Sequence, residues 1–279
     1  AGTSWFFVDP RMNKILDYLF IDEAGQVTLG TTIANATAAK NLVLIGDQMQ
    51  LSQPMRAKHE GYAKLSSLDF VLENNDTIPP DTGIFLNITR RLNKKICNYI
   101  STSFYDSRLT SDPVTETRSV NLKLDPIKDE GLFYVPIKHS GCSQRSDEEA
   151  DLIEKTYNRI IKKEFKVGKK LGKISSKDIM VVAPYNAQAN NIRERLKKKN
   201  DDVRVGTIDL FQGQEAKVVL ISMTTSDVES LPRHKDFFFS RNRLNVAISR
   251  AECVAIIIFN ENLLLASASS IKEMKLMNS

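Results

Sequence analysis

The sequence predicts an α/β fold with mainly parallel sheets. Short apolar runs recur along the chain and end in polar or small residues, without the alternation typical of strands that face water on one side. Amphipathic helical patterns separate these runs, and this succession favours sheets covered by helices on both faces. With 279 residues, of which 42% are hydrophobic and 26% charged, the chain is long enough for two globular domains.

Composition narrows the classes of function. The formal net charge of +5 permits a polyanionic partner without requiring one. Cys97, Cys142 and Cys253 are widely spaced, so neither a zinc motif nor a disulfide framework is indicated, and we expect a cytoplasmic protein. Because no apolar stretch reaches the length of a membrane span, we expect no membrane partner.

The first predicted strand ends in two adjacent carboxylates, Asp22 and Glu23, which follow the apolar run 19–21. Ligands of open α/β sheets bind at the carboxyl ends of the strands. An aspartate there can hold Mg²⁺ on a nucleotide, and a neighbouring glutamate can orient or deprotonate a water molecule. Taken alone, these residues are equally compatible with a strand followed by an acidic turn.

The next predicted strand, 41–45, runs into Gly46-Asp47-Gln48-Met49-Gln50. Asp47 and Gln50 would project where this strand stops, and a carboxylate with an amide suits contact with a phosphate or its metal ion. A strand followed by Gly-Asp is also a common turn. The motif therefore indicates a phosphate or metal site only because it follows Asp22 and Glu23 in the chain.

The later part of the chain continues the alternation of strands and helices. Apolar runs predict strands at 179–183, 203–205, 218–222 and 254–259. Ser146 and Glu149 form a capping-box pattern at the start of one helix, and 187–199 predicts another. The apolar stripe of the first helix comprises Leu152, Ile153, Tyr157, Ile160, Ile161 and Phe165. Basic runs within 162–170 and at 197–199 are typical of solvated helix faces.

The connection 207–216 lies between two predicted strands and is rich in polar groups. Thr207, Gln212 and Glu215 supply a hydroxyl, an amide and a carboxylate, and Gly213 supplies flexibility. Such groups suit contacts with phosphate, ribose and backbone amides. Apolar side chains within the connection are expected to anchor it inward, which a simple polar surface loop would not do.

A basic segment, 239–251, begins with arginines and becomes a helix that ends near Arg250. A guanidinium at a domain interface can stabilise negative charge on a transferring phosphate. The alternative for Arg250, as for Arg90 and Arg91, is a surface or ion-pair residue.

Six motifs, in chain order, resemble the motor motifs of superfamily 1 helicases. They are Asp22-Glu23-Ala24-Gly25-Gln26, Gly46-Asp47-Gln48-Met49-Gln50-Leu51, Arg90-Arg91, Val182-Ala183-Pro184-Tyr185-Asn186-Ala187-Gln188, and the segments 206–215 and 243–251. The chain looks most like branch 1B, which includes the nonsense-mediated-decay RNA helicase and the Okazaki-fragment helicase-nuclease. Over about residues 2–264 it resembles the C-terminal part of bacterial proteins that join a RecB-like nuclease to such a helicase.

The resemblance implies two RecA-like P-loop NTPase motor domains with mainly parallel sheets, the first of them truncated. Residues 1–82 would be the C-terminal part of the first domain and residues 83–279 the second, with the boundary in the turn-rich stretch 74–83. The start on Ala1-Gly2-Thr3, without methionine and close to a strand, favours an excised portion of a longer protein.

The resemblance also implies ATP hydrolysis with Mg²⁺ at a cleft between the two domains, coupled to movement along single-stranded DNA, with RNA as the alternative. Asp22 would hold Mg²⁺, Glu23 would activate water and Gln50 would sense the γ-phosphate. Arg91 would contact the same phosphate, and Arg250 would be the arginine finger.

The remaining implied contacts concern the nucleotide and the nucleic acid. The further nucleotide-contacting positions would be Asp47, Gln212, Gly213, Glu215 and Arg243. The positions on the nucleic-acid side would be Pro184, Tyr185, Asn186 and Thr207. A RecB-like nuclease domain in the same polypeptide would be the nearest protein partner.

One departure from the family pattern leaves alternatives open. The phosphate-cradling Gly-x-x-x-x-Gly-Lys-Ser/Thr loop is absent from the 279 residues, and we expect it upstream of Ala1, where the family places it. The first alternative is a binding or regulatory module that keeps the fold without turnover. The second is a P-loop NTPase without unwinding activity, whose hydrolysis single-stranded DNA would not stimulate.

Overall fold

The computed structural model describes residues 1–51, 61–73, 75–200, 202–226 and 240–265. Asn74 of the predicted boundary 74–83 and Phe239 of the predicted basic segment 239–251 lie outside the described residues. The chain forms two compact units, Ala1–Phe85 (unit 1) and Leu86–Ser279 (unit 2). The assignment of RecA-like domains to residues 1–82 and 83–279 stays a prediction.

Unit 1 is built on two parallel strands, β1 (Leu16–Ile21) and β2 (Ala39–Leu44). Its helices are α1 (Ser4–Phe7), α2 (Leu29–Ala36) and α3 (Ser67–Leu72). The apolar core of this unit comprises Leu19, Ile21, Ala24, Leu68 and Leu72. The core thus joins the end of β1 to α3, directly beneath the predicted carboxylates.

Strand β1 differs from the predicted strand covered on both faces. Leu19 and Ile21 are buried, whereas Tyr18 and Phe20 are 60% and 63% exposed. Successive side chains of a strand point to opposite faces of its sheet. The core of unit 1 therefore covers one face of β1, and the other face is exposed in the described part of the unit.

The strands and helices of unit 2 are more numerous. The strands are β3 (Ile88–Thr89), β4 (Thr110–Ser111), β5 (Arg118–Asn121), β6 (Gly131–Pro136), β7 (Glu164–Val167), β8 (Lys170–Lys173), β9 (Ile179–Val182), β10 (Arg204–Gly206), β11 (Ala216–Ser222) and β12 (Ala251–Phe259). The helices are α4 (Lys94–Phe104), α5 (Asp147–Ile160), α6 (Asn186–Lys197) and α7 (Arg241–Ser249).

Five of these strands form one parallel sheet in the order β10–β9–β11–β12–β6. Every residue of β9 is fully buried, as expected for a parallel strand covered on both faces. Three other strands, β5, β7 and β8, form a small antiparallel sheet. The prediction of an α/β chain with mainly parallel sheets is confirmed, and the arrangement is consistent with a RecA-like fold.

The predicted stripe of α5 is wrong at its C-terminal end. The helix ends at Ile160, because Ile161 leaves the helical conformation with ψ +137° and Lys162 follows at φ +68°. Phe165 instead lies on β7 and packs against the core from there. The basic stretch 162–170, for which the sequence favours a helix face, thus spans the β7–β8 hairpin, whose turn contains Gly168 at φ +59°.

Within the described ranges, each helix falls short of the length and apolarity that crossing a bilayer requires.

Candidate functional site

The carboxyl end of β1 presents Asp22 and Glu23 to solvent immediately after the buried Ile21. Glu23 adopts φ +53° and ψ +39°, a left-handed conformation that costs a residue with a Cβ about 1–2 kcal/mol. Its backbone N–H donates to Asp22 Oδ1 at 2.9 Å, and Gln26 Nε2 donates to Glu23 Oε2 at 2.9 Å. These bonds hold both carboxylates in a strained turn of the kind that clusters at functional sites.

Two glycines allow the ends of β1 and β2 to touch through their backbones. The Ala24 N–H donates to the Ile45 carbonyl at 2.8 Å. A Cβ on Gly25 would lie 2.8 Å from the Asp47 carbonyl oxygen, and one on Gly46 would lie 2.8 Å from the Ala24 nitrogen. Since real Cβ atoms do not approach so closely, both positions require glycine.

This contact places the second motif beside the first. Asp47 Oδ1 accepts from the Met49 N–H at 2.9 Å, and Asp47 Oδ2 accepts from Gln50 Nε2 at 3.2 Å. The predicted pair Asp47 and Gln50 is therefore in direct contact, with the Gln50 side chain half-buried. Unit 1 thus gathers three carboxylates and an amide at one edge of its sheet. Carboxylates of this kind are hard oxygen ligands that suit Mg²⁺, and the solvent-exposed Asp22 has the access that such an ion needs.

In unit 2, two predicted site residues form an ion pair. Arg91 Nε donates to Glu215 Oε2 at 2.8 Å, and the two side chains are 32% and 50% exposed. Arg91 Nη1 also approaches the Ser249 carbonyl at 3.5 Å. The structure therefore brings Arg91 to the connection 207–216 and to the end of α7. Arg91 therefore forms an ion pair, which is the alternative role that the sequence left open for this residue.

Arg250 lies beside that pair but is almost fully buried. The residue is only 2% exposed, and its Nε and Nη1 donate to the Val246 and Gln214 carbonyls at 3.2 and 3.1 Å. The Arg250 carbonyl in turn accepts from the Ala216 N–H at 2.9 Å. The predicted finger residue therefore ties α7 to the 207–216 connection in this structure.

The connection 207–216 is anchored inward as expected. Ile208 and Phe211 are buried, whereas Gln212 and Gly213 are exposed, and Gly213 adopts φ +74°. Arg243 Nη1 approaches Asp209 Oδ2 at 3.5 Å. The polar groups predicted to contact a nucleotide are thus accessible, while the buried Ile208 and Phe211 anchor the connection that carries them.

The four predicted nucleic-acid residues follow two neighbouring strands. The Ala183 N–H donates to the Gly206 carbonyl at 3.0 Å, so the 184–186 turn lies next to Thr207. Asn186 is exposed, whereas Tyr185 is only 9% exposed and burial raises the pKa of its phenol. The accessible groups at this edge are therefore those of Asn186, Thr207 and Pro184 rather than the tyrosine ring.

The structure also contains a buried polar network that the sequence did not indicate. Ser146 caps α5 as predicted, by accepting from the Glu149 N–H at 3.1 Å. The Glu149 side chain does not complete the capping box. It is fully buried and accepts from Ser222 Oγ at 2.5 Å and from the Thr224 N–H at 2.8 Å, and its Oε1 lies 3.0 Å from His139 Nε2. One signal could have found it: Glu149 stands four residues before Ile153, on the buried stripe.

Comparison with known proteins gives a family and several relatives. Residues 65–262, most of the chain, match the AAA domain family designated AAA_12. An uncharacterised ATP-dependent helicase of Methanocaldococcus jannaschii is 29% identical over 262 residues, covering 89% of this chain and 36% of that protein. DNA polymerase alpha-associated DNA helicase A of Schizosaccharomyces pombe is 28% identical over 257 residues, covering 88% of this chain and 37% of that protein. A solved structure of the arterivirus nonstructural protein 10 helicase is 16% identical with a TM-score of 0.42, covering 88% of this chain and 39% of that one.

The chain thus spans little more than a third of the length of these two curated relatives. Because the family match extends over most of the 279 residues, this chain belongs to the AAA domain family AAA_12.

Proposed function

We propose that this chain is part of an ATP-dependent nucleic-acid helicase of superfamily 1B. The family match, the two relatives that are named as helicases and the ordered motifs all support this proposal. The observation that carries it is the shared edge of β1 and β2, where the turn of Asp22 and Glu23 meets the segment of Asp47 and Gln50 through backbone contacts.

In this proposal the groups of unit 1 perform hydrolysis. Asp22 would hold Mg²⁺, which when bound neutralises negative charge on the nucleotide phosphates. Glu23 would accept a proton from the attacking water, while its bond from Gln26 fixes the carboxylate in one orientation. Gln50, held by Asp47, would donate from its amide to the γ-phosphate.

The groups of unit 2 would supply positive charge and strand contacts. Arg91 and Arg250 would stabilise charge that develops on the transferring phosphate. Because both guanidiniums already bond to protein oxygens, each would have to exchange these partners when nucleotide binds. Asn186 and Thr207 would contact single-stranded DNA, with RNA as the alternative, mainly through its backbone, so that binding weakens with added salt.

The resemblance extends this proposal to a RecB-like nuclease domain in the same polypeptide. Such a partner would make the whole protein both cut and translocate nucleic acid.

The test is the substitution Glu23→Gln in the full-length protein. We expect ATP turnover to fall on the order of 10²-fold or more, because the proton acceptor is lost, while ATP affinity is retained. Asp17→Asn is the matched control, since Asp17 is an exposed acid of β1 that pairs with Lys40 away from the strand end. Turnover is measured with and without single-stranded DNA.

Each outcome decides between functions. Stimulation by single-stranded DNA that Glu23→Gln abolishes supports the helicase. Hydrolysis without stimulation indicates an NTPase that does not act on strands, and no hydrolysis in the full-length protein indicates a binding module. The 279-residue chain alone should hydrolyse ATP negligibly, because none of its segments supplies the phosphate loop.

A further inference from the structure

A second cluster of ligating side chains lies away from the proposed nucleotide groups. His139, Cys142 and Glu148 each offer an atom, and these three atoms lie within 4.8 Å of one another. Cys142 Sγ and Glu148 Oε2 are 3.8 Å apart. His139 is buried, Cys142 is half-buried and Glu148 is exposed, so the cluster opens from the interior toward solvent.

The hydrogen bonds of His139 determine which ring nitrogen can bind a ligand. Nε2 faces Glu149 Oε1 at 3.0 Å, and both side chains are fully buried. Glu149 Oε2 accepts from Ser222 Oγ and the Thr224 N–H, and in the tautomer with the proton on Nε2 that nitrogen would donate to Oε1 while Nδ1 keeps a lone pair. Nδ1 is itself buried and has no hydrogen-bond partner among the described residues.

An unpartnered buried acceptor of this kind costs about 1–3 kcal/mol, unless something else satisfies it. A metal-bound histidine typically donates its other ring N–H to a carboxylate, which fixes the ring and raises the basicity of the ligating nitrogen. The pair His139–Glu149 has this arrangement in that tautomer, which leaves the unpartnered Nδ1 as the nitrogen for a ligand.

We propose that His139, Cys142 and Glu148 form a binding site for a divalent cation of the zinc class. Thiolate, imidazole and carboxylate together favour Zn²⁺ over Mg²⁺ or Ca²⁺. Tetrahedral Zn²⁺ with Zn–S of about 2.3 Å and Zn–O of about 2.0 Å holds sulfur and oxygen about 3.5 Å apart. The observed 3.8 Å needs a shift of only a few tenths of an ångström, and a water molecule would complete the coordination.

Such an ion would join two segments of unit 2. His139 and Cys142 belong to the connection after β6, and Glu148 belongs to the first turn of α5. The Cys142 N–H donates to Ser226 Oγ at 2.9 Å, which links the same loop to the connection after β11. The site would therefore stabilise this edge of the sheet, and it is independent of the proposed ATP hydrolysis.

The test is a Co²⁺ titration of the metal-stripped full-length protein under reducing conditions. We expect a saturable thiolate-to-cobalt charge-transfer band that Cys142→Ala removes and Cys97→Ala retains, since Cys97 lies in the core outside the cluster. Absence of the band, or an unchanged band in Cys142→Ala, would overturn the proposal.

A second pair of variants avoids any change to buried groups. Glu148→Gln should weaken Zn²⁺ affinity by about tenfold or more, because an anionic ligand is lost. Asp151→Asn removes an exposed carboxylate three residues further along α5 and should leave the affinity unchanged. Equal affinities for these two variants would exclude Glu148 from the site and contradict the proposal as stated.

Discussion

The candidate groups of the two units differ in how they are held. In unit 1, Asp22 and Glu23 lie in solvent, and their bonds come from within the same short turn. In unit 2, Arg250 is buried and donates to two backbone carbonyls, while Arg91 is paired with Glu215. The acids are thus presented to a ligand directly, whereas the arginines are engaged with protein atoms.

This difference has a consequence for the proposed mechanism. Exposed carboxylates can meet a metal ion or a water molecule without breaking protein contacts. A buried guanidinium can reach a phosphate only if the ligand offers bonds at least as favourable as the two carbonyls it leaves. We therefore expect nucleotide to alter the surroundings of the arginines more than those of the acids.

The largest expected effect comes from Arg250→Ala in the full-length protein. We expect ATP turnover to fall about 10³-fold or more, with ATP affinity changed far less, because an arginine finger acts on the charge of the transition state. Turnover and binding are measured separately, together with the thermal midpoint, since the substitution also removes the guanidinium that donates to the Val246 and Gln214 carbonyls.

Arg204→Ala is the matched structural control. Arg204 also donates to the 207–216 connection, through the Glu215 carbonyl at 3.1 Å and Gln214 Oε1 at 2.9 Å, but it has no place in the proposed chemistry. It should lower stability and leave turnover of the folded protein nearly unchanged. If both variants lose turnover equally, Arg250 acts by holding the loop and is not a finger.

The second prediction tests the difference between the two sheets. Ile256→Ala in β12 should lower the local free energy of unfolding by about 2–5 kcal/mol, because Ile256 is fully buried between neighbouring strands. Phe20→Ala in β1 should cost about 0.5 kcal/mol or less, since Phe20 is 63% exposed. Hydrogen exchange of the β12 and β1 amides measures each effect in its own unit. A large cost for Phe20→Ala in the full-length protein would show that another part of that protein covers this face.

The same contrast separates what the sequence can predict from what it cannot. The strands of the five-stranded sheet are predictable because a short, continuous apolar run such as 254–259 is typical of a parallel strand buried on both faces. The placement of Phe165 on α5 is wrong because the helical period of apolar residues continues past Ile160, whereas the backbone leaves the helix at Ile161 and turns left-handed at Lys162. The close approach of Gly25 to Asp47 and the burial of Glu149 depend on contacts between distant segments, which no local pattern contains.

The smallest expected effect concerns the Arg91–Glu215 pair. Because both side chains are partly exposed, solvent screens their attraction, and a double-mutant cycle of Arg91→Ala and Glu215→Ala should give a coupling of about 0.2–1 kcal/mol in stability. The pair then contributes little to the fold, and the same arginine remains available to a phosphate at low cost. The same double-mutant cycle is then measured on ATP affinity, so that the role of Arg91 in nucleotide binding can be compared with that of the acids of unit 1. A stability coupling well above 1 kcal/mol would instead show that Arg91 is held as firmly as Arg250 and would count against its proposed exchange of partners.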